Sequence, residues 1–544
     1  MKTDVLIVGA GPTGLMLACQ LAKRNTRVMI IDRNPGPSVQ TKALGVQART
    51  LEIYSHLGIA QRAVELGKRA TGACMWVNGK RVARVPLGDI GSDLSPYPFL
   101  LILGQDDNER LLGAVLQDQG VQVQWDSRLV DLSQTPEGVL AKVARPDGSI
   151  VEIAAGWVAG CDGARSTVRD LCNIPFSGAP YQHVFYVADT RAIGSMAPDE
   201  LNVYLWRGGF HLFFPLRGAN HWRVVGIVPP ELRSRDTLDF DAVAPFVRKE
   251  VGNAQAGTAL SFEACSWFST YHVHHRRAER FRDRRCFLLG DAAHVHSPVG
   301  AQGMNTGLQD AYNLAWKMAL VTSGQAAESL LDTYEIERIP VAQRLLATTD
   351  RAFTFLISER WPAEAFRMRI VQRIIALAMR RERTRQLAFR TISQIGIRYR
   401  NSPLSKTQSR STDGAPKPGD RFPWLQLESS PHTPVRDLFE QLDDTRFNLL
   451  LFGQSAPAGA SLSRLPKLMT THVIPDDPVN DQALARASIS KPSFFLLRPD
   501  GHIGFAGAEL DVMALHSYLV EQVKLLSTVA ADVPRDEIAA HRRA

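Results

Sequence analysis

The chain has 544 residues, 22% charged and 45% hydrophobic, which is too long for one core and apolar enough to bury two or three. Its formal charge of +8 does not mark a nucleic-acid binder, because residues 360 to 400 alone hold eleven Arg and two Glu and leave the remainder at −1. No apolar run approaches the ~20 residues that span a bilayer, and Cys19, Cys74, Cys161, Cys172, Cys265 and Cys286 lack the spacing of a zinc site or a disulfide framework.

The opening MKTDVLIVGAG runs straight into an apolar strand, with no room for a signal peptide, so a reducing cytoplasm is expected. Residues 4 to 8 are β-branched-rich, as in a buried parallel strand, and GAGPTG follows over Gly9, Ala10, Gly11, Pro12, Thr13 and Gly14. In this strand-turn-helix context Gly9 allows the tight turn, Gly11 admits a pyrophosphate to the backbone, and Gly14 lets the helix pack on the sheet. A helix predicted over 15 to 24 offers its positive end to the phosphates. The next strand, 28 to 31, ends at Asp32 and Arg33, and an acid there binds ribose hydroxyls and disfavours a 2′-phosphate. FAD and NAD both remain open on this motif.

A second signal, CDGARSTVR, occupies Cys161 to Arg169. Between Pro175 and Phe281 the pattern changes to alternating strands broken by Gly and Pro, which predicts an antiparallel sheet. His272 and His274 share a strand face there, but Arg276 and Arg277 follow and no metal is expected. The third signal, FLLGDAAHVHSPVGAQGMNTGLQDAYNLAWK, is a buried strand presenting Asp291, a Pro/Gly-rich loop and a helix from about Asn305. A carboxylate at a strand end holds a ribitol or ribose hydroxyl, and N–H groups at a helix start face a negatively charged ring edge.

Together GAGPTG, CDGARS and GDAAH with PVGAQGMN resemble, in order, the three fingerprints of the flavoprotein monooxygenases of the aromatic (phenol) hydroxylase class. The resemblance implies an α/β fold: a Rossmann-type FAD-binding domain with an inserted antiparallel substrate sheet, a helical segment and a C-terminal thioredoxin-like domain. It divides the chain into 1–174 and 282–400 (FAD-binding and helical), 175–281 (substrate), a Ser/Pro-rich linker over 401–420, and 421–544, which contains no cysteine and hence no thiol redox chemistry. It places Asp162 in a shared structural and NAD(P)H-associated element and Asp291 on the FAD ribityl chain. Lys42 and Arg49 fall near FAD phosphate or ribose, and Gln105 contacts the flavin. Pro298, Gly300, Gly303, Met304 and Asn305 lie in the loop against the isoalloxazine, with Pro298, Gly300 and Asn305 carrying the positioning. The family commonly has Arg at Lys42 and glycine at Ala301.

The resemblance also implies FAD as resident cofactor and NADH or NADPH as a transient reductant, which fits the lack of a second GxGxxG unit. Reduced flavin then reacts with O2 at C4a, and the hydroperoxide delivers a hydroxyl group to a small electron-rich aromatic substrate. Tyr204, Trp206, Phe213 and Phe214 are candidate pocket residues, with His296 from the flavin loop. The same fold serves Baeyer–Villiger insertion or epoxidation of a polycyclic ketone or quinone, and a nonenzymatic flavin-binding protein is a third reading; oxidation of NAD(P)H that depends on an added phenol separates them. Phe366, Ile370, Ile374 and Leu377 recur at helical spacing beside the arginines, predicting a surface helix packed on the domain or at a homodimer interface.

Overall fold

The computed structural model describes residues 1–38, 43–86, 90–206, 209–233, 235, 237–251, 259–296, 302–357, 377–378, 381–409, 414–428, 433–457 and 468–526. Val5, Leu6, Ile7 and Val8 are buried in succession, as in a strand covered on both faces. The strand Lys2–Val8 lies between Ile150–Gly160 and Val28–Ile31 and runs parallel to both. Cys286–Leu288 joins the far side of Ile150–Gly160, also in parallel, so the nucleotide-type sheet is completed by residues from both sides of the insertion. The helix Pro12–Ala22 packs along the 20-residue helix Gly303–Thr322, fixing the glycine turn against the later GD motif.

The inserted sheet has eight strands, in the order His294–Val295, Ser261–Ala278, Phe176–Ile193, His221–Ile227, Gly209–Pro215, Glu200–Trp206, Gly72–Val77 and Lys80–Pro86. Two of them come from residues 72–86, inside the segment expected to be wholly nucleotide-binding, and Gly72–Val77 pairs with Glu200–Trp206 in parallel. The helix Phe240–Val251 covers one face, which we call the outer face, through Val243, Val247 and Val251. On the other, inner face Phe214 packs with Leu44, Ala70, Leu100 and Ile102, side chains of the nucleotide-binding unit.

Helices occupy Asp332–Ile357 and Glu382–Ile392. Leu377 is exposed, whereas Phe366, Ile370 and Ile374 lie outside the described residues. The segment read as a linker is tied down instead. Leu404 is fully buried, Lys406–Thr407 pairs with Ile503–Gly507, and Ser402 donates to Glu337 at 2.6 Å. Of its polar side chains Ser402 bonds across the domain junction, whereas Asn401, Lys406, Thr407 and Lys417 are exposed. Beyond it, a five-stranded mixed sheet centred on Phe447–Phe452 and Ser493–Leu497 is accompanied by the helices Pro478–Arg486 and Val512–Glu521. Among the described residues no helix is long and apolar enough to cross a membrane.

Candidate active site

The glycine turn is built by close approach. Gly9 has φ +104°, and a Cβ there would stand 2.4 Å from the Cys161 carbonyl oxygen; one on Gly14 would stand 1.9 Å from the Gly9 carbonyl oxygen. Gly11 differs, because nothing lies within 4 Å of where its Cβ would be. That open side, next to Pro12 at the first position of a helix with no side-chain cap, leaves first-turn N–H groups free to face an anion. A pyrophosphate fits there. Asp32 is held beside the turn: the Ala10 N–H donates to one carboxylate oxygen at 2.7 Å, and Asn34 donates to the other twice at 2.8 Å. Arg33 is exposed.

Thr13 forms the hinge between the first and third motifs. A Cβ on Gly290 would come within 2.7 Å of its hydroxyl, and one on Gly307 within 2.4 Å, so both positions admit only glycine without a shift of the helices. Gly290 opens a one-turn 3-10 helix, Gly290–Ala292, that presents exposed Asp291. Behind this turn, buried Asp310 accepts from the Gly290 N–H at 3.0 Å, from His294 Nε2 at 2.8 Å and from Arg338 Nε at 2.6 Å. Burial alone would raise the Asp310 pKa, but the Arg338 charge, His294 and the Gly290 N–H outweigh it and hold the carboxyl ionised below its usual range.

The helix Gly303–Thr322 starts over this turn. Asn305 is fully buried, and its side chain is taken up by the protein: its oxygen accepts from the Gln47 N–H at 2.9 Å and the Thr50 hydroxyl at 2.7 Å, and its amide donates to the Gly45 carbonyl at 2.8 Å. Its contribution is therefore to clamp the helix start to residues 45–50. His296 is half-buried beside Gly303, whose Cβ would lie 3.1 Å from its Nε2, and its ring stacks with His294 at 6.5 Å. Gln105 begins the helix Gln105–Asp118 and donates to Glu109 at 2.8 Å, while Glu109 also accepts from the Ser38 N–H. Lys42, Pro298, Gly300 and Ala301 lie outside the described residues.

Several expected site residues have partners within the protein. Arg49 was expected near FAD phosphate or ribose; in the structure it is buried and bonds to Glu52 at 3.0 Å and the Asp500 carbonyl at 2.6 Å, facing the C-terminal unit. Asp162 caps a short helix, accepting from the Ser166 hydroxyl and the Thr167 and Val168 N–H groups, and burial pushes its pKa up. Tyr204, Trp206 and Phe213 are on the outer face, because strand alternation turns them there: Tyr204 stacks on Trp76 at 5.3 Å and meets Phe213 edge-on at 5.4 Å in the core under the helix Phe240–Val251. Phe214, one residue on, faces inward.

Facing inward is a row of apolar side chains that sequence reasoning missed. Met75, Val203, Leu212, Val225 and Val187 are successive cross-strand neighbours, all but Val187 half-buried. Four strand spacings of ~4.8 Å give this row a length of roughly 19 Å. Registers between strands are needed to see it, and sequence alone does not supply them. Asp310 and Arg338 were also missed, although an acid amid the apolar stretch 308–320 was a visible signal.

The comparisons with known proteins agree with this geometry. Residues 2–349 match a family model described as an FAD binding domain. The chain is 34% identical over 521 residues to the 6-methylpretetramide 4-monooxygenase of Streptomyces rimosus, covering 93% of this chain and 90% of that one. It is 31% identical over 474 residues to the pentachlorophenol 4-monooxygenase of Sphingobium chlorophenolicum, covering 86% and 82%. Among solved structures, the anhydrotetracycline hydroxylase OxyS of Streptomyces rimosus superposes with a TM-score of 0.75 at 27% identity, over 96% of this chain and 99% of that one. Aklavinone-11 hydroxylase, in a complex with FAD and aklavinone, gives 0.78 at 25% identity over 96% and 99%. The chain belongs to the FAD-binding-domain family of flavin-dependent aromatic hydroxylases and is an FAD-dependent monooxygenase.

Proposed function

We propose that the enzyme hydroxylates a polycyclic, phenolic aromatic substrate, and the observation that carries this is the inner-face row Met75, Val203, Leu212, Val225 and Val187. A continuous apolar wall of that length, without a charged member, suits a flat multi-ring substrate better than a single phenol ring. The 6-methylpretetramide and anhydrotetracycline names of two relatives point the same way.

Bound FAD supplies oxygen activation after reduction by NADH or NADPH. The chain's own residues hold and orient. The Gly11 backbone and the start of Pro12–Ala22 take the pyrophosphate, Asp32 the ribose, and Asp291 a ribityl hydroxyl. N–H groups around Gly303 and Met304 stabilise negative charge at the ring edge. His296, Gln105, Pro298 and Gly300 complete the flavin surround, and the sheet's inner face excludes water from the substrate side. The C-terminal unit is read as thioredoxin-like and structural, and a homodimer as the assembly.

The test is NAD(P)H consumption under air by the flavin-loaded enzyme, with single-ring phenols and with fused-ring phenols, followed by mass analysis of products. Stimulation and a product heavier by one oxygen atom only with fused-ring phenols support the reading. Stimulation confined to single-ring phenols overturns the substrate class. Lactone or epoxide products from a ketone or quinone replace hydroxylation with the sister chemistry.

A further inference from the structure

Asp310 does not reach the flavin side of the GD turn, yet every hydrogen bond it makes bears on that turn or on the helix start. One carboxylate oxygen accepts from the Gly290 N–H and His294 Nε2, which assigns the proton of His294 to Nε2. The other accepts from Arg338 Nε. Arg338 is fully buried and uses its remaining groups on either side: Nη2 donates to the Thr306 carbonyl at 3.1 Å in the first turn of Gly303–Thr322, and Nη1 donates to the Tyr399 hydroxyl at 2.8 Å. The Tyr399 ring in turn packs at a tilt against His502, with centroids 4.3 Å apart, and lies 5.3 Å from the Arg498 guanidinium, both in the C-terminal unit.

We propose that Asp310 is a positioning residue for FAD, setting the height and tilt of the Gly290–Asp291 turn relative to the helix start, and that Arg338 and Tyr399 make the C-terminal unit the backing of that clamp. Two features give the clamp its force. Gly290 sits at φ +57° directly over Thr13, so the turn has almost no room to relax toward the glycine loop. The Asp310–Arg338 pair is shielded from water, where a charge-assisted hydrogen bond is strong and directional. A turn pinned from behind presents Asp291 in one place, whereas an unpinned one presents it in several and binds the ribityl chain more weakly. The inference rests on the reading of Asp291 as the ribityl contact.

The experiment measures the FAD dissociation constant of the apoprotein by flavin fluorescence, the visible flavin spectrum, and apoprotein melting, for Asp291→Ala, Asp310→Asn, His294→Phe and Tyr399→Phe in the full chain. Expected are a loss of affinity of tenfold or more for Asp291→Ala and Asp310→Asn, and of about threefold for His294→Phe and Tyr399→Phe. Tyr399→Phe leaves Arg338 Nη1 without its acceptor and is expected to lower apoprotein melting modestly, so a weaker FAD complex counts as a positioning effect where melting shows the variant folded at the assay temperature. If Asp291→Ala binds FAD as the parent does, the site reading itself fails. If Asp291→Ala loses FAD while folded Asp310→Asn and His294→Phe keep parental affinity and spectrum, the clamp alone is overturned. Should Asp310→Asn not fold, His294→Phe and Tyr399→Phe decide the matter by the same criterion.

Discussion

Arg498 of the C-terminal unit and Glu337 of the helix Asp332–Ile357 meet as a fork against a fork, Nη1 to Oε1 at 2.5 Å and Nη2 to Oε2 at 3.0 Å, with neither side chain exposed. Lys317 donates to the same carboxylate at 2.7 Å, Ser402 at 2.6 Å, and Arg498 also engages Asp500. The junction between the two units therefore holds a buried ionic knot beside an apolar seam, in which Trp316, Leu320 and Leu330 pack with Phe447, Leu449 and Leu519.

Breaking one side of such a knot leaves an uncompensated buried charge, which typically destabilises by about 3–5 kcal/mol. Arg498→Met is expected to lower the denaturant midpoint accordingly, with the C-terminal unit detaching first. Limited proteolysis within residues 401–420 is the direct check, and a variant as resistant as the parent contradicts it.

The same carboxylate makes the fold acid-sensitive. Burial would raise the Glu337 pKa, but Arg498 and Lys317 outweigh it and hold it at about 2, against about 4.5 in the unfolded chain. As pH falls through that interval the unfolded chain takes up the proton while the folded one does not, so about 3 kcal/mol of stability, in order of magnitude, is present above pH 4.5 and lost toward pH 2. Lys317 works in the opposite sense: burial, helped by Arg498, lowers it to about 8 despite Glu337, so its contribution improves as pH rises from 8 toward 10.5. Glu337→Gln, compared with the parent by unfolding at pH 6, 4.5 and 3, is expected to show a flatter acid limb; parallel curves contradict the assignment.

Two glycines of one motif are expected to respond oppositely. Gly11→Ala meets open space and should leave apoprotein melting unchanged while weakening FAD binding at least tenfold, because its methyl group stands where the pyrophosphate belongs. Gly14→Ala drives a Cβ into the Gly9 carbonyl and should lower melting of the apoprotein as well. Equal melting of the two variants would remove the distinction.

Inner and outer faces of the inserted sheet should separate in kinetics. Leu212→Phe narrows the apolar row and is expected to raise KM for a fused-ring substrate severalfold with little change in flavin content. Tyr204→Phe, whose hydroxyl lies 3.5 Å from Ser195 on the outer side, should leave KM unaltered. The reverse pattern would place the substrate on the other face.

Local chemistry was the readable part of the sequence. The glycine turn, Asp32 and the GD turn depend on backbone conformation and short-range contacts, so their residue types declare them. Asp162 and Arg49 show that a charged side chain beside a motif is as well suited to capping a helix or closing a domain junction as to touching a ligand: the structure gives them protein partners, Thr167 in one case and Asp500 in the other. The face taken by Tyr204 and Phe213 was not legible, because an aromatic in an alternating strand is equally at home on either face until the sheet acquires its covering helix. The five-residue inner row belongs to no single segment, being assembled from registers among five strands.

The strand Ile150–Gly160 has a consequence for how the molecule is made. Its outer neighbour, Cys286–Leu288, lies about 126 residues further along, counting from Gly160 to Cys286. At roughly 5–20 residues per second a ribosome needs about 6–25 s to supply it. Throughout that interval the buried end of the strand, Val158 to Gly160, has an unfilled edge and Thr13 has no Gly290 or Gly307 to close on. The cofactor-binding half is thus finished only after the inserted sheet has emerged, and until then its open strand edge is a surface on which another chain could pair.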